Sequence, residues 1–423
     1  MIINPRCNIN GVITIPGDKS ISHRAIMLGS IAEGKTEITG FLMGNDCLST
    51  IDCFRKLGVQ IDVTDKKIIV HGSGLLALTP PVDILDVGNS GTTIRLITGI
   101  LSSQPFSSEV TGDSSIQKRP MLRVVSPLRE MGADIDGIED GKYCPLHIKG
   151  KNLNGINYKL PVASAQVKSS ILFASLYARG ETKIYEPRTS RNHTEIMVNH
   201  FGGNIIQTNN EIVSFPVKKL TAQKVNIPGD ISSAAYFIAA ALILPNSELL
   251  IQNIGINPTR DGIITVFKKM GGNIDLLNRR YQCGEPVADI LVRSSKLHGI
   301  KIGGSIIPKL IDEIPILAVV SCYSDGITVI KDAQELKVKE SNRIHAMAAE
   351  LNKMGAKVLE TEDGMIIEGV KALKGAAVES YHDHRVAMSL AIAALKAENE
   401  TIINNSECAD ISYPNFFTTL KNL

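Results

Sequence analysis

One phrase recurs along the chain at intervals of roughly 70 residues. It reads "FRKLGVQI" from Phe54, "LREMGADI" from Leu128, "VNHFGGNI" from Val198, "FKKMGGNI" from Phe267 and "LNKMGAKV" from Leu351. Each copy looks like the end of a helix, a glycine suited to a left-handed C-cap, and the start of a strand. A short β-branched strand precedes the phrase, as in "KTEITGF" from Lys35 and "GITVIKD" from Gly326. Ahead of that strand lies a helix rich in Ala, Ser, Ile and Leu. The repeating unit is therefore helix, strand, helix, glycine, strand, usually with one more strand. Six copies are expected, the sixth cut short after "FFTTLKNL". Small side chains suit the first helix of each unit to burial, and Lys and Glu suit the second to solvent.

A chain of 423 residues is too long for one core, so two domains of three repeats each are expected. The division falls at two related turns, "IPGDKSISHRA" from Ile15 and "IPGDISSAAYF" from Ile227. The N-terminal domain would span 16–228. The C-terminal domain would take 1–15 and 229–423, with the leading strand joining its sheet.

Net charge of +2 argues against bulk nucleic acid or an anionic membrane as partner, and the lack of Trp argues against base stacking. Seven cysteines, an odd number without a C-x-x-C pair, read as reduced thiols in the cytoplasm. "MIINPRCNINGV" has no basic stretch followed by an apolar run, so no signal peptide is expected. "AAYFIAAALIL" from Ala234 is too short to span a bilayer. "IIVHGSGLLAL" matches a dinucleotide fingerprint through Gly72, Gly74 and Ala77, but Pro80 and Pro81 forbid the helix that must follow, so it reads as a turn.

Charge gathers where helices begin, and a helix start favours phosphate or carboxylate. The first-helix starts carry Asp18, Lys19, Ser20 and Arg24; Gly88, Asn89, Gly91, Thr92 and Arg95; Ser164, Gln166 and Lys168; Asp312 and Glu313; and His382, Asp383, His384 and Arg385. The second-helix starts add Lys118 and Arg119, Arg188, Arg191 and His193, and Lys337, Lys339, Glu340 and Arg343. Singly, each Lys or Arg is a solvated side chain. Asp18 and Asn89 are ordinary N-caps, and Glu340 with Arg343 is an i,i+3 pair. His382 and His384, on a strand-like stretch, would face one side, but no further ligand has metal spacing. Recurrence at one structural place favours a cationic cleft holding carboxylates fit for proton transfer.

The motifs "PGDKSISHRA", "GNSGTT", "KRPM", "PVASAQVKSS", "IDEIP", "KVKESNRI" and "HDHRVAMS" stand in the order found in 5-enolpyruvylshikimate-3-phosphate (EPSP) synthases. The chain resembles that family over its whole length, and "SAQVKS" with "SRNHTE" resembles the bacterial class II form. The resemblance implies an α/β fold of two inverse α/β, barrel-like domains built from six βαβαββ repeats. It implies transfer of the enolpyruvyl group of phosphoenolpyruvate to the 5-hydroxyl of shikimate 3-phosphate, in the pathway to chorismate and aromatic amino acids. It also implies a tetrahedral intermediate, and neither cofactor nor metal.

By motif, Lys19 and Gln166 would contact both substrates. Ser20, Arg24, Ser164, Arg191, Asp312 and Lys339 would hold shikimate 3-phosphate. Gly91, Arg119, Arg343, His384 and Arg385 would hold phosphoenolpyruvate. Asp312 would accept the hydroxyl proton and Glu340 would protonate the methylene carbon, with Lys19 stabilising charge. Domain closure over substrate and a monomer are expected. Glyphosate is a candidate inhibitor, because Gly91 leaves room beside phosphoenolpyruvate.

Two positions depart from the pattern. Ile411 stands where many relatives have Lys, and Ala165 follows Ser164 where class I has a second Ser. Arg191 is the candidate to compensate. One rival is the transferase acting on UDP-N-acetylglucosamine, which has Lys-Asn at the first turn and usually a Cys near Arg119. This chain has Lys19-Ser20 and "GDSSIQKRP". The other is a non-enzymatic repeat clamp, which would spread its basic residues along an inner face.

Overall fold

Every recurring phrase closes a helix, turns on a glycine and opens a strand. Gly58, Gly132, Gly202, Gly271 and Gly355 all have left-handed φ, between 85° and 99°, where a Cβ would be strained. The computed structural model describes residues 1–423. The first repeat shows the unit in full: helix Lys19–Ile31, strand Glu33–Thr39, helix Asn45–Lys56, then strands Gln60–Val63 and Ile68–Ser73.

The chain divides into two compact units. One comprises Met1–Pro16, Pro228–Arg280 and Pro286–Leu423; the other comprises Gly17–Ile227 and Tyr281–Glu285. Each has its own apolar core.

The unit containing Gly17–Ile227 holds three four-stranded sheets of one design. In the first, Lys224–Asn226 runs parallel to Glu33–Thr39, which pairs antiparallel with Ile68–Ser73, and Gln60–Val63 closes the far edge. The other two follow the same order around Ser107–Thr111 and Thr182–Tyr185. The second unit repeats the design. Asn10–Thr14 runs parallel to Glu248–Gly255, and Lys301–Ile302 to Ile327–Ile330. The sixth repeat ends early and its sheet has three strands: Ile2–Ile3 takes the antiparallel place beside Thr401–Asn404, and the far edge strand is absent. Every sheet has open edges, so none closes into a barrel.

The two "IPGD" turns follow the two displaced leading strands. Residues Asn10–Thr14 lead the fourth repeat's sheet yet feed the first repeat's helix. Residues Lys224–Asn226 lead the first repeat's sheet yet feed the fourth repeat's helix. Both turns need glycine for close approach. A Cβ on Gly17 would lie 1.8 Å from the Gly40 carbonyl oxygen, and one on Gly229 would lie 2.7 Å from Ile254 Cδ1.

The first helices are the interior of each unit. All 13 residues of Ile231–Ile243 and all 12 of His384–Leu395 are buried, as small side chains permit. Gly72 belongs to this packing, not to a nucleotide fingerprint. Its Cβ would meet the Gly29 carbonyl oxygen at 2.1 Å, and the strand Ile68–Ser73 runs on into a turn. No helix is long and apolar enough to cross a membrane.

Candidate active site

In the unit built on Gly17–Ile227, Asp18 caps the first helix, its carboxylate accepting from Ile21 N at 2.9 Å. Lys19 follows at the first turn and donates through Nζ to Asp46 Oδ2 at 3.0 Å. Arg24 lies one turn further on and is 3% exposed. It donates from Nε to Thr194 Oγ1 (2.7 Å), from Nη1 to the Ser20 carbonyl oxygen (2.9 Å) and from Nη2 to Ser169 Oγ (2.7 Å). A guanidinium has five N–H groups, so two stay available to a ligand. Burial pulls the Arg24 pKa down to about 10, Glu195 and Asp18 oppose that shift, and neighbouring Arg191 adds to it. Arg24 therefore still carries its charge at neutral pH, beside a second guanidinium, in a place that favours an anion.

The second helix of this set begins at Gly91. Its N-cap is Ser90, whose hydroxyl accepts from Thr93 N at 3.1 Å. This corrects the expectation for Asn89, which lies one residue too early and instead donates to Asp113 Oδ2 at 2.7 Å. Arg119 spans the turn, its Nη2 at 3.4 Å from both Asn89 Oδ1 and Ser115 Oγ. A Cβ on Gly91 would sit 3.0 Å from Arg119 Nη1, so glycine lets the guanidinium lie over the helix start. At the third helix Ser164 is the N-cap and Ala165 the first residue, so one hydroxyl caps the helix alone. Gln166 is fixed by a short hydrogen bond from Arg95 and by its own Nε2 donating to Thr92 Oγ1 at 3.2 Å.

The other unit gathers charges just as tightly. Asp312 lies in a 3-10 turn, Ile311–Glu313, leading into helix Ile314–Cys322. Its Oδ1 is 3.3 Å from Arg343 Nη1 and 3.6 Å from Lys339 Nζ, and its Oδ2 is 3.9 Å from Arg385 Nη2. Arg343 is 1% exposed and also donates to Glu340 Oε2 (2.5 Å) and, through Nε, to Asp383 Oδ2 (2.8 Å). The i,i+3 pair of Glu340 and Arg343 thus forms, inside a larger network. Burial opposes the Arg343 charge, but Asp383 and Glu340 outweigh it and raise its pKa. Burial likewise pushes Asp383 up, and Arg343 wins, holding it below the usual carboxylate range. Asp383 caps helix His384–Leu395, which starts with buried His384 and Arg385.

Tyr381 and His382 take left-handed φ of 55° and 54°, and helix begins at His384. The strand-like reading of this stretch is therefore wrong, and the two histidines do not share a strand face. No group of three or more His, Cys, Asp or Glu side chains is placed to hold a metal ion. Lys118, Arg188 and Lys337 are exposed, as solvated residues are. Ile411 ends the 3-10 turn Ser406–Ile411 and packs against the apolar core.

Three partners escape the sequence reading. Asp46 pairs with Lys19 and is signalled only by an acidic residue at a second-helix start. Asp383 stands in a charged run that does not announce Arg343 as its partner. Arg260, in "GINPTRDGI", is buried and donates to Asp230 Oδ1 (3.0 Å) and Ser232 Oγ (2.7 Å). Ser232 in turn bonds Glu313, beside Asp312. The second "IPGD" turn is therefore not bare of cations: its guanidinium arrives from 30 residues downstream.

The model of the family "EPSP synthase (3-phosphoshikimate 1-carboxyvinyltransferase)" matches residues 3–420. The chain belongs to the EPSP synthase family. A 3-phosphoshikimate 1-carboxyvinyltransferase of Thermoanaerobacter sp. (strain X514) is 59% identical over 98% of each chain. One of Bacillus cereus (strain B4264) is 56% identical over 98% of this chain and 97% of that one. The structure of EPSP synthase from Acinetobacter baumannii superposes with a TM-score of 0.90 at 43% identity, covering 100% of this chain and 97% of that one. Membership of the EPSP synthase family displaces the two rival readings, the UDP-N-acetylglucosamine transferase and the repeat clamp. The six-repeat, two-unit α/β architecture is that of the family.

Proposed function

We propose that this enzyme joins phosphoenolpyruvate to the 5-hydroxyl of shikimate 3-phosphate, releasing phosphate, and that its charged helix starts are the substrate ligands. The carrying observation is the Asp312 carboxylate, ringed by Lys339, Arg343 and Arg385 within 3.9 Å. Substrate anions compete for those same cations. As phosphate and carboxylate groups take them up, Asp312 and Glu340 lose counter-charges and become stronger bases. The site thereby arms its proton acceptor only when it is loaded.

In this reading Lys19, Ser20, Arg24, Ser164, Gln166, Arg191, Asp312 and Lys339 hold shikimate 3-phosphate. Lys19, Gly91, Arg119, Gln166, Arg343, His384 and Arg385 hold phosphoenolpyruvate. The hydroxyl oxygen attacks the enol carbon of phosphoenolpyruvate and its proton passes to Asp312. Glu340 delivers a proton to the methylene carbon, and a tetrahedral intermediate forms. Loss of phosphate and of one methyl proton then restores the double bond. Lys19, oriented by Asp46, offsets negative charge at this centre. Glyphosate, an anion with a phosphonate and a carboxylate, is a candidate for the phosphoenolpyruvate place beside Gly91 and Arg119. The protein acts as a monomer in the cytoplasm, a reducing compartment that suits seven free thiols.

Two variants separate the substrate sets. Lys339→Ala is expected to raise KM for shikimate 3-phosphate at least tenfold and Arg119→Ala to do so for phosphoenolpyruvate, each leaving the other KM within threefold. Exchanged effects would overturn the assignment.

A further inference from the structure

We propose that Lys168 is a positioning residue that sets Arg191 against shikimate 3-phosphate without touching the substrate itself; this rests on the reading of Arg191 given above. Lys168 stands one turn into the third helix, among residues that do face the site, yet it is 0% exposed. Its Nζ meets three oxygens: Glu195 Oε1 at 2.7 Å, Glu186 Oε2 at 3.1 Å and the Ser190 carbonyl oxygen at 3.4 Å. The contacts to Glu186 and Ser190 are hydrogen bonds and the one to Glu195 is an ion pair, and full burial closes the ammonium to a ligand.

Those three oxygens all belong to one segment, Glu186 to Glu195, and Arg191 lies inside it. Glu186 also accepts from Ser190 N (3.3 Å) and from the Ser190 hydroxyl, which folds the residues just before Arg191 into a closed turn. At the far side His193 Nδ1 lies 2.6 Å from Glu285 Oε1, and Thr194 is bonded to Arg24 and Ser169. One buried ammonium thus grips the segment at both ends, with Arg191 between the grips. The arrangement has work to oppose, because Arg191 and Arg24 are close enough to repel. A fixed backbone keeps the two guanidiniums side by side until an anion arrives, which lowers the ordering cost of binding.

The test is steady-state kinetics of Lys168→Met combined with Glu186→Gln. Removing one positive and one negative charge together keeps the net charge of the cluster unchanged, while Glu195 loses its ion-pair partner, which the single change below retains. The expected result is a KM for shikimate 3-phosphate at least tenfold higher, with kcat and the KM for phosphoenolpyruvate within threefold. Placed in an Arg191→Ala background, the same pair of changes should add less than twofold, because Lys168 acts through Arg191. An equal rise in both backgrounds, or a fall in kcat with every KM disturbed, would overturn the proposal. Glu186→Gln alone keeps the Lys168–Glu195 pair, serves if the double variant does not fold, and should raise the same KM at least threefold; no change there contradicts the proposal. If Arg191→Ala by itself leaves KM for shikimate 3-phosphate unchanged, the proposal falls together with the reading beneath it.

Discussion

Arg343 Nη1 donates to Asp312 Oδ1 at 3.3 Å while the same guanidinium holds Asp383 and Glu340. The cation is shared, so Asp312 can leave it for a substrate proton without stranding Arg343, which keeps two carboxylates. Asp312→Ala should therefore fold, bind shikimate 3-phosphate with affinity within a few-fold of the parent, and lose at least a hundredfold in kcat. Calorimetric titration and turnover measured together check this. Near-normal turnover would remove Asp312 from the base role.

Gly91 and Arg119 make a second separable prediction. The methyl of Gly91→Ala would lie 3.0 Å from Arg119 Nη1, the far end of a flexible side chain, so the fold can yield. The expected variant keeps its thermal midpoint and its KM for shikimate 3-phosphate. Its KM for phosphoenolpyruvate rises several-fold, and glyphosate inhibition weakens in parallel. A changed midpoint with unchanged KM would mean that the glycine serves packing alone.

His23 predicts a pH dependence of stability. It is 0% exposed and its Nδ1 lies 2.7 Å from Thr50 Oγ1. Burial, then Lys19 and Arg24, holds its pKa well below the ordinary histidine value. The folded state stays neutral while the unfolded state gains a proton below about pH 6.5, so this contribution is present at neutral pH and is lost as pH falls. Urea unfolding should show the parent losing up to about 1.4 kcal/mol per pH unit more than His23→Asn between pH 6 and pH 5. Parallel losses would contradict the assignment.

How much of this was legible beforehand follows from what each feature depends on. The repeat was readable because a left-handed glycine between helix and strand is a local demand, met in the same way at Gly58, Gly132, Gly202, Gly271 and Gly355. The helix starts were readable because capping and charge placement are local as well. Pairings between the first and second helix starts of a repeat were not. Nothing near Lys19 in the chain names Asp46, and nothing near Asp230 names Arg260, because those contacts depend on how the two helices of one repeat fold together. His382 misled because alternation suggests a strand, whereas two successive left-handed residues there break the chain direction. Lys168 misled because its position at a helix start resembles a ligand's, while its burial came only with the fold.

The two "IPGD" turns give a contrast between packing and chemistry. Ile231 is 2% exposed, so Ile231→Lys buries an unpaired ammonium and should cost roughly 3 kcal/mol or more of stability, with a lower thermal midpoint. Lys19→Ala, at the matching place in the first turn, should leave the midpoint near the parent value and remove detectable turnover. The opposite pattern, an inactive but unaltered fold for Ile231→Lys, would mean that the fourth repeat's helix start touches substrate.

The central claim is that these helix starts bind two particular anions and couple them. Phosphate release from phosphoenolpyruvate, followed with and without shikimate 3-phosphate and separately with UDP-N-acetylglucosamine, tests it most directly. The account predicts release only with shikimate 3-phosphate, in equal amount to 5-enolpyruvylshikimate 3-phosphate formed. Release with UDP-N-acetylglucosamine and none with shikimate 3-phosphate would contradict it.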